Sequence, residues 1–462
     1  MSRVNGSERF DVVVVGARCA GSPLATFLTR AGLKVCVIDQ VEFPSDTLST
    51  HMFQISGIEV LQRLGVLNAV MECGAPPVSD CYMKFEDVEM SGPPRLRDSD
   101  VRIPMLCVRR VSLDVHLVEM ARRSGVEMRL QTRLTELIKD NERVVGVRVE
   151  GRDGKVSTIA ADLVVGADGR LSTVAHLAGA RRYHVTQSER MSSWTYLRGV
   201  PHRPVERLYY HRLGDDFIVA APADDDLFLV ILCPSVEYFN AFRADSDNWF
   251  QTTVARCPPL ADALANAKRA FKFRGLKRFE GFFREATGPG WVLVGDSGHF
   301  KDPTPGQGIS DALRQVEKLS TAIVRGFGNP AQRDGELRRW WRWRDADALQ
   351  HYWFATDIGK RGPISPVRLE MLRRVARDDE LRKDFLDIFF HRKRPRQLFG
   401  PAALASATAR TLIDRNTRQG ALREAFQLLS EDIDRRMQAW RPRHTGRSAT
   451  DEPHFDHQPS ET

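Results

Sequence analysis

Residues 11–22 read DVVVVGARCAGS, and the reading of this stretch decides the fold. Phe10 to Val15 is a short, β-branched apolar run, the pattern of a strand buried on both faces. Gly16 permits a sharp turn after it, and Gly21 lets a helix over residues 20–31 approach the strand closely. Gly32 stops that helix, and Lys34 to Asp39 is a second apolar strand ending in an acid. Strand, turn, helix and strand in this order build a parallel sheet. Amide groups at such a helix start can meet a pyrophosphate, with the helix dipole assisting. Asp39, 23 residues beyond Gly16, stands where an acid accepts hydrogen bonds from ribose hydroxyls. Arg18, however, fills the place of the middle glycine of a dinucleotide fingerprint. The turn by itself therefore leaves open FAD, NAD, or two glycines that serve only packing.

Working outward, 462 residues exceed what one hydrophobic core organises, so two or three structural units are expected. The net charge of +8 is a small surplus of 68 basic over 60 acidic residues, interspersed. That pattern suits a solvated surface attracting anions better than a nucleic-acid site. Seven cysteines, at 19, 36, 73, 81, 107, 233 and 257, show no metal spacing and fit a reducing compartment. The start MSRVNGSERF lacks the apolar core of an export signal, and no run of 18 apolar residues offers a membrane span, so a cytoplasmic location is expected. No histidine spacing resembles a zinc site, and no serine sits in a nucleophile elbow.

The sheet-building pattern returns after an interruption. Residues 76–104 are polar and irregular, an excursion from the sheet; a helix fits 113–124, and VVGVRVEGRDGKV alternates around a GRDGK turn, a hairpin signature. ADLVVGADGRLS (161–172) gives a further strand ending in glycines. Four extended segments between Trp194 and Pro234, separated by acidic turns, predict an antiparallel wall of a second unit. Helices are expected around 240–270 and then over 307–325, 333–351 and 365–390. The expected organisation is α/β. A Rossmann-like nucleotide unit comprises segments 1–75, 105–180 and 285–330. Residues 76–104 reach toward an inserted mixed or antiparallel-sheet substrate unit at 181–284. A helical region spans 331–440, and 441–462 is a flexible tail.

Two later stretches extend the nucleotide reading. DLVVGADGRLS places Asp168 and Gly169 after a buried strand, and VLVGDSGHFKDPTPGQGISD (292–311) places Gly295 and Asp296 after another, ahead of a proline- and glycine-rich loop that starts a helix. An acid at such a turn can bind a cofactor sugar, while loop and helix-start amides can face the anionic edge of a reduced flavin. Three separated strand ends thus converge on one edge of the sheet.

These three stretches, in this order over about residues 8–330, resemble those of the aromatic-hydroxylase-type (class A) FAD-dependent monooxygenases of the glutathione-reductase-like flavoprotein group. The resemblance implies that Gly16, Ala17, Arg18 and Gly21 bind the FAD pyrophosphate, with Gly-Ala-Arg-x-Ala-Gly a family variant, and that Asp39 binds its ribose. It implies a role toward FAD, or toward a nicotinamide pyrophosphate, for Asp168 and Gly169, and places Gly295 and Asp296 at the ribityl or ribose. Arg110 matches the arginine of an R-x-x-L pattern, expected to reach the extended FAD chain, and Pro303, Pro305, Gly306, Gln307 and Gly308 match the loop lining the isoalloxazine.

The activity implied is hydroxylation or epoxidation of an electron-rich, aromatic small molecule with O2 and NADH or NADPH, through a flavin C4a-hydroperoxide, with a separate flavin reductase as a possible partner. His51 and His299 are the catalytic candidates, each with an ordinary loop-supporting role as alternative, as for Lys301. Trp194, Tyr196, Tyr209 and His211 either face the substrate or pack the core, with packing favoured; Trp353 and Phe354 either line a pocket lid or end a helix. The charged HRKRPRQ (391–397) reads as a solvated connector, with a phosphate or subunit contact as the alternative. The alternatives are a flavin halogenase, whose W-x-W-x-I-P signature is absent, a prenyl-chain or alkene reductase, and a non-catalytic flavin-binding redox partner.

Overall fold

The computed structural model describes residues 8–440 apart from 48, 50, 96–100, 202–205 and 416; the tail expected at 441–462 lies outside the described residues. Its first sheet has the strand order Thr287–Gly288, Trp291–Leu293, Val156–Gly166, Glu8–Val15, Val35–Ile38 and Glu127–Arg129. The last five are mutually parallel, with Val12 opposite Val35 and Val14 opposite Val165. Alternation along Glu8–Val15 divides its valines between two cores. Val12 and Val14 pack with Leu24, Leu28 and Val316 of two helices, while Val13 and Val15 pack with Val147, Val174 and Leu293. Helices thus cover one face and the hairpin Thr132–Asp140/Arg143–Gly151 helps cover the other, which explains why the strand is apolar at every position from Val12.

The second sheet runs Lys268–Arg269, Ser192–Arg198, Phe228–Leu232, Asp216–Pro222, Arg207–Leu213, Asp80–Phe85, Val88–Gly92, with Arg274–Leu276 also paired to Ser192–Arg198. It is mixed, because Arg207–Leu213 and Asp80–Phe85 are parallel. Residues 76–104 are therefore less irregular than expected: their hairpin completes this sheet, since buried Cys81, Met83 and Phe85 alternate with more exposed neighbours. The fold is α/β, with a parallel-sheet unit, an inserted mixed sheet and a helical C-terminal region.

Helices differ from expectation in extent. One runs unbroken over Pro330–Gly359, so Trp353 and Phe354 belong to its last turns and not to a separate lid. The 365–390 pattern is two helices, Pro366–Ala376 and Asp379–Phe389, because the Asp378 carboxylate accepts from the amides of Glu380 and Leu381 and starts the second. The helical stretch near 240–270 ends at Ala263 and gives way to short strands. HRKRPRQ is solvated only in part: Arg394, Arg396 and Gln397 are exposed, but the His391 side chain is 4% exposed, Arg392 is nearly covered and Pro395 is buried. No helix among the described residues is long and apolar enough to cross a membrane.

Candidate functional site

The strands Glu8–Val15, Val35–Ile38, Val156–Gly166 and Trp291–Leu293 end side by side, and a groove of about 560 Å³ opens along that edge. Gly16, Arg18, Asp39, Asp168, Gly295 and Asp296 line it. Gly16 has φ +101°, and a Cβ there would lie 2.4 Å from the Ala167 carbonyl oxygen; a Cβ on Gly21 would lie 1.7 Å from that of Gly16. Only glycine lets strand, turn and helix close to this distance. Asp39 accepts from the amides of Ala17 (2.7 Å) and Val41 (3.0 Å), one per carboxylate oxygen, so each oxygen keeps a lone pair toward the groove.

Arg18 does not block the turn. Its guanidinium swings aside to Asp114 (2.7 Å) and to the carbonyl and hydroxyl of Ser45, and lies over the Phe43 ring at 5.2 Å. Arg110 grips the same Asp114 through two nitrogens, at 3.0 and 2.9 Å, and Cys19 donates to it from 3.4 Å. Asp114 is completely buried and so unites both arginines at the groove wall. Asp168 accepts from the Ser172 hydroxyl (2.6 Å) and the Val174 amide (3.0 Å), which fixes the turn into the helix Thr173–Ala178. Burial raises the Asp296 carboxyl to about 6, against the pull of Arg110 and Arg170. A glycine cradle, an acid at the end of the second strand and arginines beside the turn fit a dinucleotide carrying a pyrophosphate and a ribose.

The loop after Gly295 is held from behind. Gln54 donates from Nε2 to the Gly306 carbonyl (2.9 Å), and the Ser310 hydroxyl both accepts from the Gln54 amide and donates to its Oε1. The Gln307 side chain faces away from the groove and donates to the carbonyls of Ile388 and Phe389, so it ties the loop to the C-terminal helices. Lys301 spans Gln307 Oε1 (2.7 Å) and Asp311 (2.6 Å), and His391 reaches Asp311 at 3.0 Å and Asp347 at 3.3 Å. Burial alone would raise Asp311, but the Lys301 ammonium, then His391, hold it well below the carboxylate range. His299 contacts Gln315 through Nδ1 at 3.2 Å, and burial pushes it down to about 3.

The sequence candidates separate into three places. Trp194 and Tyr196 share one face of the mixed sheet with Tyr210, and their rings lie 6.0 and 5.8 Å from that of His51; Trp194 also lines the groove. Tyr209 packs on the opposite face with Ala220 and Val230, and His211, two residues along the same strand, shares that side beside Tyr82. As pocket candidates Tyr209 and His211 are thus corrected, since strand alternation turns them away from Trp194. Trp353 and Phe354 line a different cavity, which shares no residue with the groove. Of the loop set, Pro303 and Gly308 line the groove, while Gly306 and Gln307 sit behind it.

His51 has φ +57°, is 1% exposed, and neither ring nitrogen has a partner among the described residues. Burial, then Arg110 and Arg109, push it down to about 3 from 6.5, so its imidazole is neutral. The unfolded chain therefore binds a proton that the folded one refuses, and this contribution to stability, intact above 6.5, is lost as pH falls toward 3. His51→Asn is expected to flatten the stability-pH curve by about 1.4 kcal/mol per pH unit between those limits. Chemical denaturation at stepped pH measures this, and an unchanged slope would mean that His51 titrates normally.

Gln54, Asp114, Arg170 and His391 escaped the sequence reading. Arg170 adjoins the Asp168-Gly169 motif, which was its available signal; Gln54 and His391 carry none, because their partners lie more than 40 residues away in the chain.

The FAD binding domain family matches residues 9–334, well over half of the chain. The chain is 24% identical to the 1H-pyrrole-2-carbonyl-(peptidyl-carrier protein) brominase of Pseudoalteromonas luteoviolacea, over 79% of this chain and 91% of that protein. It is 26% identical to the 6-methylpretetramide 4-monooxygenase of Streptomyces rimosus, over 69% of this chain and 76% of that protein. The solved structure of a flavin-dependent brominase superposes with a TM-score of 0.68 at 20% identity, covering 89% of this chain and 100% of that one. The groove, the glycine turn and the acid at the end of the second strand therefore have a shared origin: the chain belongs to the FAD-binding domain family, in the superfamily of FAD-dependent monooxygenases and halogenases.

Proposed function

We propose that this chain is a halogenase-like FAD-dependent oxidoreductase acting on an electron-rich, aromatic small molecule. The observation that carries the reading is the reach of its similarity to the brominase. A match over 79% of the chain is longer than the family match to residues 9–334, so the likeness takes in residues beyond that domain. Bound FAD, reduced by NADH or NADPH directly or by a separate reductase, supplies the two electrons that split O2. In sum, reduced flavin, O2, a halide, a proton and the aromatic C–H give oxidised flavin, the carbon–halogen bond and two waters.

The chain's own residues divide the remaining work. The Gly16 turn, with Asp39, Arg110, Asp168 and Asp296, holds the cofactor, and Gly308 opens a helix whose first amides meet its anionic edge. Trp194 and Tyr196 offer ring faces to the substrate. His51, neutral and unpartnered, packs edge-on beside both rings and holds them in place. By the same reading, segments 1–75, 105–180 and 285–330 form the FAD unit and 181–284 the substrate unit.

Direct hydroxylation is the second reading, favoured by the absence of W-x-W-x-I-P around SWTYLR. The test is to photoreduce the FAD-loaded protein anaerobically, then admit O2 with a panel of phenols, pyrroles and polycyclic aromatics, with and without bromide. Bromide-dependent brominated product in the mass spectrum is the expected result. Oxygen incorporated from ¹⁸O2 regardless of bromide assigns hydroxylation instead, and electron transfer to an alkene without O2 overturns both.

A further inference from the structure

A second cavity, of about 380 Å³, lies among the C-terminal helices and shares no lining residue with the FAD groove. Its volume is in the range of small-molecule sites. Trp353, Phe354, Met371, Phe399 and Leu404 give it an apolar lining, closed on one side by the helix Ala421–Trp440. A buried polar group breaks that lining. Arg212 is 6% exposed and makes no ion pair among the described residues: Nη2 donates to the Lys360 carbonyl (2.9 Å), and Nε has no acceptor.

A buried guanidinium met only by backbone carbonyls at an apolar wall is costly, and an anionic acceptor would answer it. The charges around the cavity favour the same sign. Five arginines and three acids line it, and one of the acids, Asp357, is already bound by both Nη atoms of Arg435 at 2.8 Å. Burial, then the neighbouring Arg190, lowers Arg212 to about 10, with Glu86 pulling the other way.

We propose that this cavity is a second ligand site, for an apolar molecule with a carboxylate head that Arg212 receives. Because no residue is shared with the groove, the molecule bound here is not the one oxidised. The inference does not depend on the reaction assigned above, since its test needs no turnover.

The probe is dodecanoate, with its methyl ester and a diazirine-bearing analogue, on the FAD-loaded full chain. Calorimetry is expected to show one saturable event, with the ester at least tenfold weaker and the photolabel falling on 349–372, 395–404 and 428–436. Leu404→Trp, which fills the cavity, is expected to weaken binding at least tenfold with the flavin spectrum unchanged, and Arg212→Gln to erase the difference between acid and ester. Labelling of the unaltered protein decides the matter if either variant fails to fold. Labels at 16–21 or 295–308, or equal affinity for acid and ester, would each overturn the proposal.

Discussion

Gly21→Ala is expected to yield protein that loses its flavin on desalting. The added methyl would meet the Gly16 carbonyl oxygen at 1.7 Å and a Val14 methyl at 3.3 Å. Val14 is fully buried between two parallel neighbours, so the strand cannot move and the turn must. Overpacking of this kind costs about 1–3 kcal/mol. Because the displaced turn is the one that carries the amides facing the groove, we expect affinity for FAD to fall by about ten- to hundred-fold. Flavin-to-protein absorbance ratio and melting temperature measure the two parts separately. Gly335→Ala is the matched control: it lies in a helix with open space around its Cβ and is expected to keep or raise the melting temperature. Full flavin retention by Gly21→Ala would mean that the turn is not the pyrophosphate cradle.

Asp114→Ala should be the most destabilising single change at the groove. It leaves the largely buried Arg110, and Arg18, without the carboxylate that holds both. Removing one partner of a buried charge cluster costs about 3–5 kcal/mol, because the orphaned charge stays out of water. Denaturant titration of the apoprotein measures it. The Asp114→Leu, Arg110→Met double variant is expected to recover much of the loss, since an apolar pair of similar volume carries no desolvation cost. A loss below about 1 kcal/mol for Asp114→Ala would show that water reaches the cluster and screens it.

The core of the fold was legible because its signals are local. A β-branched run, a glycine that accepts positive φ, and an acid at the next strand's end each constrain their own few residues, and these constraints placed Gly16, Asp39, Asp168, Gly295 and Asp296 on one groove. The sequence by itself also determined that Trp194 and Tyr196 share one side of a strand, and Tyr209 and His211 one side of another, because side chains alternate.

Only the tertiary structure decided which side faces His51, since that depends on how the sheet is laid against elements distant in the chain. It likewise decided the fate of Arg18, which a local reading counts as an obstacle in the turn. Asp114, 96 residues on, draws its guanidinium away. His391 was read as part of a solvated basic run, yet it is buried against Asp311 and Asp347. The backbone pattern of a stretch follows from its own residues, whereas the partner of a long charged side chain is set by whichever remote carboxylate the packing buries beside it.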